Sequence, residues 1–246
     1  MIDTFKDQVV LISGAGKGIG RALALAFARA GAWVAANDLT PVNLDVTLEQ
    51  IAAEGGNARA YLADVAKSLP VQAMVKQVQE DWGRIDILIN NSGVAPQAPL
   101  LEMDEWDWQR TLEVNLSGPW WLIQTVGQLM QAQGGGVMLN LVGKPDWLLT
   151  LQERSAYLTS QYGLIGLTLA AAQELKAYHI CINALLLGAV AGPPRAQDVA
   201  DSPKEWGGLE NEPGTPLAKV IEKAFYVCSP AAAGLNGQVL AIGRGG

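Results

Sequence analysis

The sequence predicts an α/β fold in which one parallel sheet carries helices on both faces. Three observations predict it. Short β-rich runs alternate with longer helical stretches along the whole chain. Several of those runs are nearly continuously apolar, as strands covered on both faces must be. A cluster of glycines also falls between the first run and the first helical stretch.

Taken in order, the strands are placed at residues 8–13, 32–38, 57–63, 85–90, 137–142, 180–187 and 238–242, giving a seven-stranded sheet. Helical patterns lie at 19–30, 68–82, 105–131 and 156–177. No repeat, low-complexity tract or charge run marks a boundary, so residues 1–246 read as one domain. One segment breaks the rhythm. Residues 188–216 are crowded with glycine and proline and too long for an ordinary connection. Because a further strand follows, the segment is read as a lid over a substrate site.

Composition removes several function classes. Half the residues are hydrophobic, enough for a sizeable core, and the net charge is −7. An acidic chain lacks the Lys/Arg excess that a nucleic-acid or anionic-membrane surface requires. The start is charged and carries no signal-peptide stretch, and no apolar run is long enough to span a bilayer. Cys181 and Cys228 form no C-x-x-C pair and read as buried thiols, with a disulfide as the alternative. A cytoplasmic location is expected. The single histidine, His179, excludes any site that needs two imidazoles and reads as a structural residue at a helix-to-strand junction. No metal site is expected.

Ser13-Gly14-Ala15-Gly16-Lys17-Gly18-Ile19-Gly20 lies at the first strand-to-helix turn. Glycine there lets the backbone turn tightly and approach a pyrophosphate without a Cβ in the way. The N–H groups of the helix opening near Gly18 then face the phosphates. The second strand ends at Asp38, 18 residues beyond Gly20 (38 − 20). A carboxylate at that tip accepts the adenosine ribose 2′-OH and repels a 2′-phosphate; the alternative is a helix-cap or turn aspartate. Lys17 pulls the other way. The balance predicts a Rossmann domain that prefers NAD(H) over NADP(H).

Five motifs in order extend that reading over the whole length. Ser13–Gly20 is similar to T-G-x-x-x-G-x-G with Ser for Thr. Asp64-Val65 follows the third strand, Asn90-Asn91-Ser92-Gly93 is similar to N-N-A-G, Val114-Asn115 lies in a long helical stretch, and Asn236-Gly237-Gln238-Val239 with Gly245-Gly246 closes the chain. Together they resemble the short-chain dehydrogenase/reductase family. The resemblance implies an adenine contact at Asp64 and Val65, and cofactor contacts around Asn91 and Gly93. It implies a catalytic set of Tyr, Lys and Ser assisted by the helix Asn, here Asn115. The Tyr is the family's general acid/base, the Lys holds the nicotinamide ribose and lowers the Tyr pKa, and the Ser positions the substrate oxygen.

The chain departs from that set. Tyr157 occupies the tyrosine position, but Gln161 stands where the lysine belongs. Val142, Gly143 or Lys144 falls at the serine position, depending on a one-residue alignment choice. Gln161 can still bond ribose hydroxyls but supplies no charge. An unperturbed tyrosine is about one part in a thousand phenolate at neutral pH. Alcohol oxidation, which needs phenolate, should lose most; carbonyl reduction, which uses the neutral phenol, should lose less. Lys144, 13 residues before Tyr157 (157 − 144), is either a cation at the substrate mouth or a solvated lysine before a proline turn. Trp147 and Trp206 are the candidates to line an apolar substrate pocket, the other tryptophans being core or subunit-interface anchors. The resemblance also implies a homodimer or homotetramer through the stretches 105–131 and 156–177. Two readings follow: a reduction-biased oxidoreductase acting on a small carbonyl or secondary alcohol, and a non-catalytic dinucleotide-binding homologue serving as sensor, scaffold or partner subunit.

Overall fold

A computed structural model describes residues 4–143, 152–188, 190–191 and 215–242. Seven strands form one sheet, all neighbours parallel: β1 (Val9–Ser13), β2 (Trp33–Asp38), β3 (Asn57–Leu62), β4 (Ile87–Asn90), β5 (Gly136–Gly143), β6 (Ile180–Leu187) and, at the far edge, β9 (Val239–Ala241). The order is β3-β2-β1-β4-β5-β6-β9. β1 and β4 are fully buried and apolar apart from Ser13 and Asn90, because helices cover both faces there. Between them the winding reverses, and the crevice at their carboxyl ends is where such sheets bind ligands.

On one face lie α1 (Gly18–Arg29), α2 (Pro41–Ala53) and α7 (Leu217–Cys228). Phe5, Phe27 and Phe225 anchor this side, with ring centroids 4.7–5.0 Å apart. On the other lie α3 (Ser68–Trp82), α5 (Gly118–Gln133) and α6 (Ser155–Leu175). Trp33 and Trp82, both partly buried, pack with the buried Tyr61 near the β3 edge. The sheet, its parallel sense and all seven strand positions match the sequence reading.

Three local features correct it. The single helix expected at 105–131 is two, α4 (Glu105–Leu112) and α5, joined by a π-helical turn at Glu113–Ser117. Pro119 has no N–H to offer the Asn115 carbonyl, so the regular ladder cannot run through this point. The helix expected at 156–177 ends at Leu175 in a 3₁₀ turn, Lys176–Tyr178. His179 closes that turn at φ +58°, where its carbonyl accepts from Gly136 N. Helices α2 and α7 are additional to the helical stretches placed from the sequence.

The expected lid, 188–216, lies mostly outside the described residues. Its two ends meet as a short parallel pair, β7 (Val190–Ala191) and β8 (Thr215–Pro216). Cys181 and Cys228 are free thiols, and burial pushes Cys228 up to about 12. Among the described residues no helix is long and apolar enough to cross a membrane, and no cluster of potential metal ligands occurs.

Candidate active site

The glycine turn leaves β1 and enters α1, and its glycines are held for distinct reasons. Gly14 and Gly18 have φ of +66° and +55°, in the left-handed region. At Gly20 a Cβ would collide with the Gly14 carbonyl and come within 2.5 Å of Asn91 Nδ2. At Gly16 it would lie 2.6 Å from Asp38 Oδ2. Gly18 meets nothing within 4 Å and, with Lys17, is exposed, so this rim of the turn faces open space. Ile19, half-buried, packs against the core. A turn with no side chains on its inner curve, opening onto a helix N-terminus, fits a dinucleotide pyrophosphate.

Asn91 ties that turn to the end of β4. Its Nδ2 donates to Ser13 O (2.9 Å) and Gly14 O (3.0 Å), while Ser13 Oγ accepts from Asn91 N and Ser92 N. Gly93 is exposed, 3.5 Å (as a built Cβ) from Asn115 Oδ1. Asp38 sits at the tip of β2 beside the turn. One carboxylate oxygen accepts from Gly16 N (3.0 Å) and the other from Leu39 N (2.7 Å). Asp64, by contrast, is engaged by Arg110 at 3.0 Å and accepts from Ala66 N, with Val65 buried beside it. Sequence reasoning missed two supports. Arg21 donates to Gly16 O and to Thr47 Oγ1 (3.1 Å), and Thr47 Oγ1 donates to Ala15 O (3.0 Å), clamping the turn between α1 and α2. Only their spacing on neighbouring helices, unknown without α2, could have disclosed them.

At the carboxyl ends of β4 and β5 a second group assembles. The π-turn aims Asn115 inward, 2 % exposed. Its Oδ1 accepts from Val94 N and its Nδ2 donates to Val94 O, each 2.8 Å, and to Ser160 Oγ at 3.1 Å. Ser160 Oγ donates to Tyr157 O (2.6 Å) and lies 3.4 Å from Gln161 Nε2. Gln161, 5 % exposed, accepts from Gly143 N through Oε1 at 2.7 Å. Each end of the amide thus has a protein partner. Ser160, absent from the sequence reading, is the residue joining Asn115 to the α6 turn that carries Tyr157. Deeper down, Asn90, Asn140 and Thr168 form a buried chain from β4 through β5 to α6, with bonds of 2.7 and 2.8 Å.

Tyr157 is brought to this same strand end. Its hydroxyl lies so close to Gly143 that a Cβ there would collide with it. Burial pushes the phenol above its ordinary range, and the Arg154 charge one helical turn earlier pulls the other way. Of the residues weighed for the serine position, Gly143 lies beneath the tyrosine hydroxyl. Lys144, Trp147, Trp206, Gly245 and Gly246 lie outside the described residues.

Comparison with known proteins agrees with this geometry. Residues 8–203 match the short chain dehydrogenase family. An uncharacterized oxidoreductase of Thermotoga maritima is 36% identical over 248 residues, covering 98% of each chain. D-threitol dehydrogenase of Mycolicibacterium smegmatis is 33% identical, covering 97% of this chain and 92% of its own. The crystal structure of NAD+-bound xylitol dehydrogenase superposes with a TM-score of 0.85 at 27% identity, covering 98% of this chain and 99% of that one.

Proposed function

The chain belongs to the short-chain dehydrogenase family, and from that premise we propose that it is a nicotinamide-dependent oxidoreductase interconverting a small carbonyl compound and its secondary alcohol, biased towards reduction. The observation that carries this reading is the Tyr157 hydroxyl at the carboxyl end of β5, beside the crevice that the glycine turn and Asn91 border. A bound nicotinamide dinucleotide would supply or accept the hydride. Gly14 to Gly20 would receive its pyrophosphate, with Asn91 holding the turn in shape.

NAD(H) is preferred over NADP(H) in this reading, because the Asp38 carboxylate at the β2 tip stands beside Gly16 and would repel a 2′-phosphate. Tyr157 donates the proton to the carbonyl oxygen. A half-buried phenol with a raised pKa keeps its proton at and above neutral pH, so the acid form needed for reduction stays populated while the phenolate needed for the reverse step is scarce. Asn115 fixes the backbone at Val94 and, through Ser160, the turn bearing Tyr157. Lys144 is the candidate cation for the substrate oxygen, which Lys144→Met tests by its effect on turnover; unchanged turnover would make it a solvated lysine.

The relatives that act on threitol and xylitol support including polyols and ketoses among the substrates tried, beside simple ketones and 3-ketoacyl thioesters. Trp120, Tyr162 and Leu169, 40%, 61% and 45% exposed on α5 and α6, support a homodimer or homotetramer through these helices. Calorimetry with NADH and NADPH, followed by a carbonyl panel at neutral pH, tests the proposal. NADH binding at least about tenfold tighter than NADPH, with turnover of some panel member, is expected. Failure to bind either dinucleotide would sink it.

A further inference from the structure

We infer that Gly143 and Gln161 are positioning residues for Tyr157: a strand tip without a side chain and an amide that pins it together make the seat in which the phenol hydroxyl lies. Gly143 is the last residue of β5, in register with Leu187 of β6. Its φ is not in the left-handed region, so the backbone itself does not call for glycine. What calls for glycine is the tyrosine. A Cβ at this position would strike the Tyr157 hydroxyl and lie 3.0 Å from Cζ and 3.3 Å from Cε1.

The second half of the seat is Gln161. Its Oε1 takes the Gly143 N–H at 2.7 Å, and its Nε2 reaches Ser160 Oγ at 3.4 Å, which donates to Tyr157 O at 2.6 Å. The chain of contacts thus closes on itself, from Gly143 through Gln161 and Ser160 to Tyr157 and back to Gly143. A lysine at 161 would offer three donors and no acceptor, and the Gly143 N–H would lose its partner. Any side chain at 143 would take the space of the hydroxyl. The two positions are therefore coupled through Tyr157, and the residues found there form a rebuilt site rather than two independent losses.

The inference draws its catalytic meaning from the proposed role of Tyr157, but its test needs no turnover. The phenolate absorbance of Tyr157, isolated by subtracting the Tyr157→Phe spectrum, is followed against pH in the full chain. Arg154 is the charged group acting on this phenol among the described residues, and it is kept unchanged throughout. Gly143→Ala should push the flexible phenol off the strand tip into water and lower its midpoint by at least about half a unit, towards the ordinary value near 10. Gln161→Met, which removes the acceptor, should move it the same way. An unchanged midpoint in Gly143→Ala overturns the inference.

If the fold is lost before Tyr157 titrates, a double-mutant cycle at neutral pH decides instead. The loss of melting temperature caused by Gly143→Ala should shrink by about half in the Tyr157→Phe background, where the colliding oxygen is gone. Equal losses in both backgrounds overturn the inference. A protein that binds NADH yet reduces nothing would refute the proposed reaction while leaving both readouts intact.

Discussion

Asn115→Ala should weaken the fold and unlock the segment after β4 together. The side chain makes three hydrogen bonds, to Val94 N and O at 2.8 Å and to Ser160 at 3.1 Å, from a position 2 % exposed. Each such bond is worth about 0.5–1.5 kcal/mol net, and the loss is larger when a half-buried partner is left unpaired. The sum is about 2–4 kcal/mol. For a domain of this size each kcal/mol lowers the melting temperature by about 2–4 °C, so a fall of roughly 5–15 °C is expected. The assay is thermal unfolding by circular dichroism, paired with hydrogen exchange at the Val94 amide. That amide should lose protection in the variant well before the strands of the central sheet do. A melting temperature within about 2 °C of wild type, with Val94 still protected, would refute the claim that Asn115 is the clasp of this segment.

Three other predictions follow from the same contacts. Gly20→Ala drives a Cβ into the Gly14 carbonyl and Asn91, so NADH affinity in calorimetry should fall at least about tenfold, equivalent to about 1.4 kcal/mol. Because the Tyr157 phenol is raised by burial, its contribution to stability is complete below its unfolded value near 10 and disappears as pH climbs through the higher folded value. Carbonyl reduction should accordingly keep its Tyr157-dependent plateau from neutrality to about pH 10, and Arg154→Met should move the alkaline limb further up in kcat/KM profiles. Cys228, held protonated by burial at about 12, should resist thiol reagents at pH 8 in the native protein and react once it is unfolded.

The sheet was legible because its strands are marked by composition. Val9–Ile12 and Ile87–Ile89 are continuous apolar runs, and the glycines from Gly14 to Gly20 mark the passage from strand to helix. Helix α2 was not legible, for a physical reason. Val42 and Val46 point to solvent (71% and 37% exposed) while Leu44, Thr47 and Ile51 point inward, which blurs the helical period. The signal overlooked was Pro41 at the first helical position. The π-turn carried a signal too, in Pro119 four residues after Asn115.

At the site, residue types could be read but directions could not. Tyr157, Asn115 and Gln161 are located by the motifs that resemble the short-chain dehydrogenase/reductase family. That Gln161 turns to Gly143 depends on an unpaired N–H at the end of β5, visible only once the strand is placed against α6. Sequence spacing also left three residues open for the serine position; of these, Gly143 lies close to the tyrosine hydroxyl, and Lys144 is outside the described residues.

The central claim, a Tyr157-dependent reductase using NADH, is tested most directly by NADH consumption with the carbonyl panel at neutral pH, comparing wild type with Tyr157→Phe. The account predicts turnover of at least one carbonyl compound and a loss of about 10²-fold or more in the variant, the scale of removing a general acid. Equal rates in the two proteins on every carbonyl turned over would contradict it, as would tight NADH binding with no turnover in either.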